Sequence, residues 1–179
     1  MKSFVVALAL AAFAATAVGA EETRSVALVR AMRSDEIAVA TAKLAFLNGS
    51  MRERYGKTNN ACVKRIAYTD FTAGWARVVE SVLSPTEIET SLGFFQSDAG
   101  VKYVEGLLRR LRARQGEASV LPEIKGKEEI TPPQLARISE FSSSDLGRKV
   151  MGKDLNLSPA AEAMGNQANE QIAAKCGGK

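Results

Sequence analysis

Three observations in this sequence predict an all-α fold. Strand-like alternation of apolar and polar residues is nearly absent, and apolar residues instead recur every three or four positions. Helix-start signatures of the form S/T-P-x-E/Q occur twice, at Ser84–Glu87 and Thr131–Gln134. Each opens a copy of one longer motif. Residues 83–104 read LSPTEIETSLGFFQSDAGVKYV and residues 130–151 read ITPPQLARISEFSSSDLGRKVM. Aligned without gaps, they share Pro85 with Pro132, Phe94 with Phe141, Ser97 with Ser144, Asp98 with Asp145, Gly100 with Gly147 and Lys102 with Lys149. Chance supplies roughly one or two matches over that length, so the fixed offset predicts one supersecondary unit used twice.

The chain opens on a segment that reads as a secretory leader. Lys2 is its short positive region, residues 4–15 are an apolar run short for a bilayer span, and Val18-Gly19-Ala20 is a small-residue cleavage site. An uncleaved membrane anchor is the other reading. Cleavage after Ala20 leaves residues 21–179, the length of one domain. Lys2 is the only charge lost, so the net charge falls from +4 to +3, too mild to demand nucleic acid or an anionic membrane as partner. No later stretch is long and apolar enough to cross a membrane. An exported protein that is not integral to the membrane is expected, and the alanine-rich leader suggests a periplasm.

Two cysteines are present, Cys62 and Cys176. In an oxidising compartment an even pair predicts a disulfide, here closing a loop of more than a hundred residues. A redox or metal pair has little support, since the chain has no histidine and no C-x-x-C.

The elements follow in order. A first helix is expected over 25–32 and a second from Ser34, read as an N-cap with Asp35 and Glu36 in the positive first turn. Ile37, Thr41, Leu44 and Ala45 would form its inner face, with Asn48-Gly49 as its stop. Residues 52–60 read as a loop. One long helix is expected over 60–82, with Ile66, Trp75, Val78, Val79 and Val82 in the core. After each capping box comes a short amphipathic helix, with Ile88, Leu92 and Phe95 inward in the first and Leu135, Ile138 and Phe141 in the second. Ser97 and Ser144 are placed to cap a second helix in each copy, with Asp98 and Asp145 behind them. Gly100 and Gly147 allow close approach of another segment. In copy one the second helix runs on through Val101, Val104, Leu108 and Leu111; in copy two Gly152 and Asp154 cut it short. A polar connector is expected over 115–129, and Ser158-Pro159 opens a final helix to about Lys175.

The residues that carry copy one, Ser84, Glu87-Ile88, Phe94-Phe95, Ser97, Gly100 and Lys102, resemble the core motif of a bacterial exported family called domain of unknown function 2059. That family shows a cap, E-[IL], an aromatic pair and S-x-x-G-x-K. Phe95 stands where tyrosine is frequent and Asp98 where proline is frequent. Copy two, with Phe141, Ser144, Gly147 and Lys149, fits more loosely because Ser142 replaces the second aromatic. The resemblance implies a small helical exported domain and supplies no activity, cofactor or catalytic residue.

Chemistry is sparse. Without histidine the commonest general base and metal ligand is missing, and neither a calcium loop nor a cofactor motif occurs. A Ser–Lys dyad of Ser97 and Lys102 is conceivable, but capping explains the same serine with less machinery. The sharpest charge feature is Arg109, Arg110, Arg112 and Arg114, followed by Lys125 and Lys127. It reads either as a solvated helix end, where cations suit the negative terminus, or as a docking surface for an acidic protein or envelope polymer. Aromatic residues are not interleaved with it, so nucleic-acid binding is unsupported. The functional expectation is a non-catalytic protein that binds a protein partner in the envelope, for instance an immunity protein occluding a toxin. The rival expectation is an envelope-maintenance factor contacting anionic lipid or peptidoglycan.

Overall fold

Thr23 sets the first element. Its backbone is extended and its side chain accepts from the Val26 N–H, which starts α1 (Arg24–Met32). The computed structural model describes residues 22–66, 71–116 and 130–177, and the segment expected to be a leader lies outside them. Arg33 takes a left-handed turn (φ 51°) that stops α1 and starts α2 (Ser34–Leu47) without a spacer. Ser34 is therefore inside the first turn rather than the cap expected of it, and no side chain caps α2. Asp35 is buried at this start and accepts from the Thr72 hydroxyl at 3.1 Å. The inner face of α2 is also rotated from the expected one. Val39, Ala42 and Phe46 are buried while Thr41 is exposed and Ile37, Leu44 and Ala45 are half-buried, because α2 is contacted from several sides, by α4 (Asn60–Arg65), α7 (Asp98–Arg114) and α11 (Pro159–Cys176).

The expected loop after α2 holds a single helical turn, α3 (Arg52–Tyr55), with Tyr55 packed on Phe46 at 5.7 Å between ring centroids. The expected long helix over 60–82 is two helices, α4 (Asn60–Arg65) and α5 (Thr72–Val82), with residues 67–70 outside the described set. Asn59 caps α4 through Cys62 N–H, and Ile66 leaves helical geometry with ψ 127°. The two pieces serve different neighbours. The Cys62–Cys176 disulfide (S–S 2.05 Å) and the Asn59 N–H bond to the Cys176 carbonyl hold α4 to the end of α11, while α5 lies along α1. Val63 and Trp75 are buried in the two pieces, whereas Ile66 and Val82 are only half-buried.

The first motif copy forms α6 (Pro85–Phe95) and α7 (Asp98–Arg114); the second forms α8 (Pro132–Ser143) and α9 (Asp145–Met151). A turn, α10 (Lys153–Asn156), follows and contains Asp154, so only Gly152 ends α9. Ser158 caps α11 (Pro159–Cys176). Among the described residues all regular structure is helical, apart from an isolated bridge between Thr58 and Gly177.

The core forms where α1 lies against α5 and α6, α2 against α7, and α11 against α2 and α5. Leu28, Val29, Val63, Val78, Val79, Leu92, Leu108, Val150 and Leu155 are essentially sealed from solvent. The alanine-rich α11 docks through small side chains, Ala161, Ala168 and Ile172, and its Met164 lies directly over Gly74 of α5, where a Cβ would sit 2.5 Å from the methionine sulfur. The α8–α9 pair joins by crossed contacts, α8 on α7 and α9 on α6. No helix among the described residues is long and apolar enough to cross a membrane.

Candidate functional site

The motif residues are held first by local backbone chemistry. In copy one the Ser84 hydroxyl accepts from the Glu87 N–H and the Glu87 carboxylate accepts from the Ser84 N–H at 2.8 Å, a closed capping box. Thr131 and Gln134 make the same exchange in copy two. At the bend, the Ser97 hydroxyl donates to the Phe94 carbonyl at 2.6 Å and accepts from the Gly100 N–H. Ser144 repeats this with the Phe141 carbonyl and the Gly147 N–H. The two glycines explain the tightness of the bends. A Cβ on Gly100 would collide with the Phe94 carbonyl and stand 2.6 Å from the Phe95 Cα; on Gly147 it would collide with the Phe141 carbonyl oxygen and stand 2.6 Å from its carbon. The expected close approach is thus to the chain's own preceding turn.

Where the two copies meet, equivalent residues meet. Phe94 and Phe141 stack at 3.9 Å with planes 4° apart, and Phe95 packs edge-on against both. Lys149 reaches back to copy one and donates to both Glu87 oxygens, at 2.9 and 3.0 Å. Its counterpart Lys102 stands 4.0 Å from Glu105 on its own helix. The Ser84 N–H and then Lys149 hold the Glu87 carboxyl at about 2, well below its ordinary value.

Burial separates the copies. Leu83, Ile88, Leu92 and Phe95 are buried in copy one beside α1. The corresponding Ile130 and Leu135 are 40% and 58% exposed, and Ser139 and Ser142 replace the other two. Leu135 is thus not the core residue expected of it. In α7 Val104 and Leu108 are buried and Leu111 half-buried, whereas Val101 is exposed.

The arginine run divides as well. Arg112 donates to Glu36 at 3.2 Å beside Arg33, which binds both oxygens of the same carboxylate. Arg109, Arg110 and Arg114 are exposed. The expected connector begins later than Gln115. That side chain is buried and donates to the Ala40 carbonyl at 2.5 Å, sealing the end of α7. Lys64 brings its ammonium group near Gly116 at the same helix end, and Lys43 donates to the Lys64 carbonyl. Lys125 and Lys127 lie outside the described residues.

Two depressions stand out. One, of about 530 Å³, lies between α2 and α4 and is lined by Asn48, Arg52, Lys57 and Asn59 among others. Its two named asparagines are engaged, Asn48 with Ser50 and Asn59 with α4. The other, of about 870 Å³, is a more apolar groove between α6 and α8. The stacked Phe94 and Phe141 line it, with Thr90 and Gly93 on one side and Pro133, Ala136, Arg137 and Glu140 on the other. Reading the sequence alone misses this groove. Its only linear signal is that Phe94 and Phe141 hold the same motif position, which does not say that they touch. No cluster of three potential metal ligands occurs among the described residues. No family model, no curated protein and no solved structure matches the chain.

Proposed function

We propose that the chain is an exported, non-catalytic binding protein that docks an acidic protein partner in the envelope through the end of α7. The observation that carries this reading is the exposed trio Arg109, Arg110 and Arg114, with Lys64 beside the helix terminus. Four cations there exceed what a helix end needs, and they stand clear of the Glu36 pairing that occupies Arg112. The polar motif residues support the same reading. Ser84, Ser97 and Ser144 hold helix starts, and Glu87 is shared between its own cap and Lys149, so each of these polar groups has a structural role. Likeness to the domain of unknown function 2059 family is consistent with a small periplasmic helical protein. An immunity protein that covers a secreted toxin is the narrower form of the proposal.

The test is capture of envelope proteins on the immobilised protein at physiological salt, beside an Arg109/Arg110/Arg114→Gln triple variant. A stoichiometric acidic protein retained by the wild type and lost by the variant supports the reading. If that protein is toxic when expressed alone, the immunity form follows. The same exposed arginines favour one rival, an envelope factor on anionic lipid or peptidoglycan. Recovery of lipid or glycan alone, lost at high salt, replaces the proposal with that rival.

A further inference from the structure

We propose that the groove between α6 and α8 is the seat of a second copy of this chain, and that the protein forms a two-fold dimer in which α8 packs antiparallel on its own counterpart. Helix α8 has twelve residues and a complete capping box, yet none of its residues is buried. Isolated helices of that length are marginal in water, and packing of one face is what normally sustains them. Half-buried Ile138 and Phe141 supply one contact face toward the rest of the chain. The groove side is made of Pro133, Ala136, Arg137, Glu140 and Ser144, with Phe141 at the boundary between the two.

The charges on that face choose the occupant. Arg137 and Glu140 are exposed, lie one turn apart on the same side of the helix, and take part in no ion pair among the described residues. The facing wall of the groove, Thr90, Gly93 and Phe94, carries no charge. The groove is therefore neutral overall and selects neither an acidic nor a basic peptide. It is, however, complementary to itself. A two-fold axis crossing α8 between residues 137 and 140 sets Arg137 against Glu140 of the second copy and Glu140 against its Arg137, so both pairs form at once. Such self-complementarity is what an isologous interface requires. The shape agrees. Pro133 and Ala136 toward one end of the stripe and Ser144 at the other leave room for a second helix backbone. Gly93 has open space where a Cβ would be, and the paired phenylalanine rings supply an apolar floor. The surface is separate from the arginines of α7, so this inference stands or falls independently of the functional reading above.

Charge exchange gives a sharp test. Sedimentation equilibrium would be run on the purified protein, on Arg137→Glu, on Glu140→Arg, on the double exchange, and on an equimolar mixture of the two single variants. Each single variant places like charges together twice and is expected to weaken self-association at least tenfold, roughly. The double exchange restores both pairs and the wild-type association. The mixture forms a heterodimer, because the pair of one variant complements the other. Both exchanged positions are exposed, and an unchanged far-UV circular dichroism spectrum confirms that folding is intact. A wild-type protein that stays monomeric over the whole concentration range overturns the proposal. So does a dimer indifferent to both single exchanges, or one the double exchange fails to restore.

Discussion

At the scale of single residues, the motif is made of backbone partners. Gly100 and Gly147 are needed because a preceding carbonyl already fills the place of a Cβ, and a carbonyl within a packed bend cannot move aside as a flexible side chain can. Gly147→Ala and Gly100→Ala should each cost at least about 2 kcal/mol, read as a lower urea midpoint. Glu87 makes a different kind of contact, since it closes its own cap and also receives Lys149 from the other copy. Its carboxyl sits at about 2 in the folded chain against an ordinary 4.5. The sign follows from that depression. The folded state gains from the ionised group at pH values above the ordinary one, and the gain disappears as pH falls from about 4.5 toward about 2. In Lys149→Met the Ser84 N–H remains, so the Glu87 pKa should rise only part of the way. Carboxyl carbon NMR titration reads this directly, and an unchanged titration would deny the contact between the copies.

At the scale of elements, the two copies share caps but not surroundings. Leu83 and Ile88 stand immediately before the cap and at the fourth helical position of α6, the places of a hydrophobic staple. Ile130 and Leu135 occupy the same places on α8. Local chain entry therefore accounts for the apolar residues kept there. In α6 the staple positions are also covered, beside α1; in α8 they are open. Ile88→Ala should then cost about 2–4 kcal/mol, and Leu135→Ala under about 1 kcal/mol. Chemical denaturation of the two variants side by side checks this. Equal losses would mean that Leu135 is covered in solution.

At the scale of the whole molecule, the disulfide joins positions 114 residues apart and draws α4 onto the last turn of α11. Closing so long a loop restricts the unfolded chain and stabilises the fold by up to about 4–5 kcal/mol in the chain-entropy model. The Cys62→Ser/Cys176→Ser pair of substitutions should lower stability by a large part of that amount. Helix α11 should nevertheless stay helical, because Ala161, Ala168 and Ile172 bury its inner face without the bridge. Denaturant melts with far-UV circular dichroism separate the two effects. Loss of the α11 helix signal before global unfolding would show that the bridge, rather than packing, docks it.

The sequence by itself determined whatever depends on near neighbours along the chain. The helical class, both capping boxes, the Ser97 and Ser144 caps, the Ser158 start and the cysteine pairing are all local or compositional, and each is present in the structure. Tertiary structure decided what depends on which helix lies beside which. It broke the expected 60–82 helix so that α4 and α5 reach different partners, and it turned α2 onto Val39, Ala42 and Phe46. It also drew Gln115 into the core, assigned Arg112 to Glu36 and left Leu135 in the open. The groove lined by Phe94 and Phe141 belongs to this second group as well. Periodicity reports that a helix has an apolar face, but burial is a property of two surfaces. The same motif can therefore be core in one copy and surface in the other.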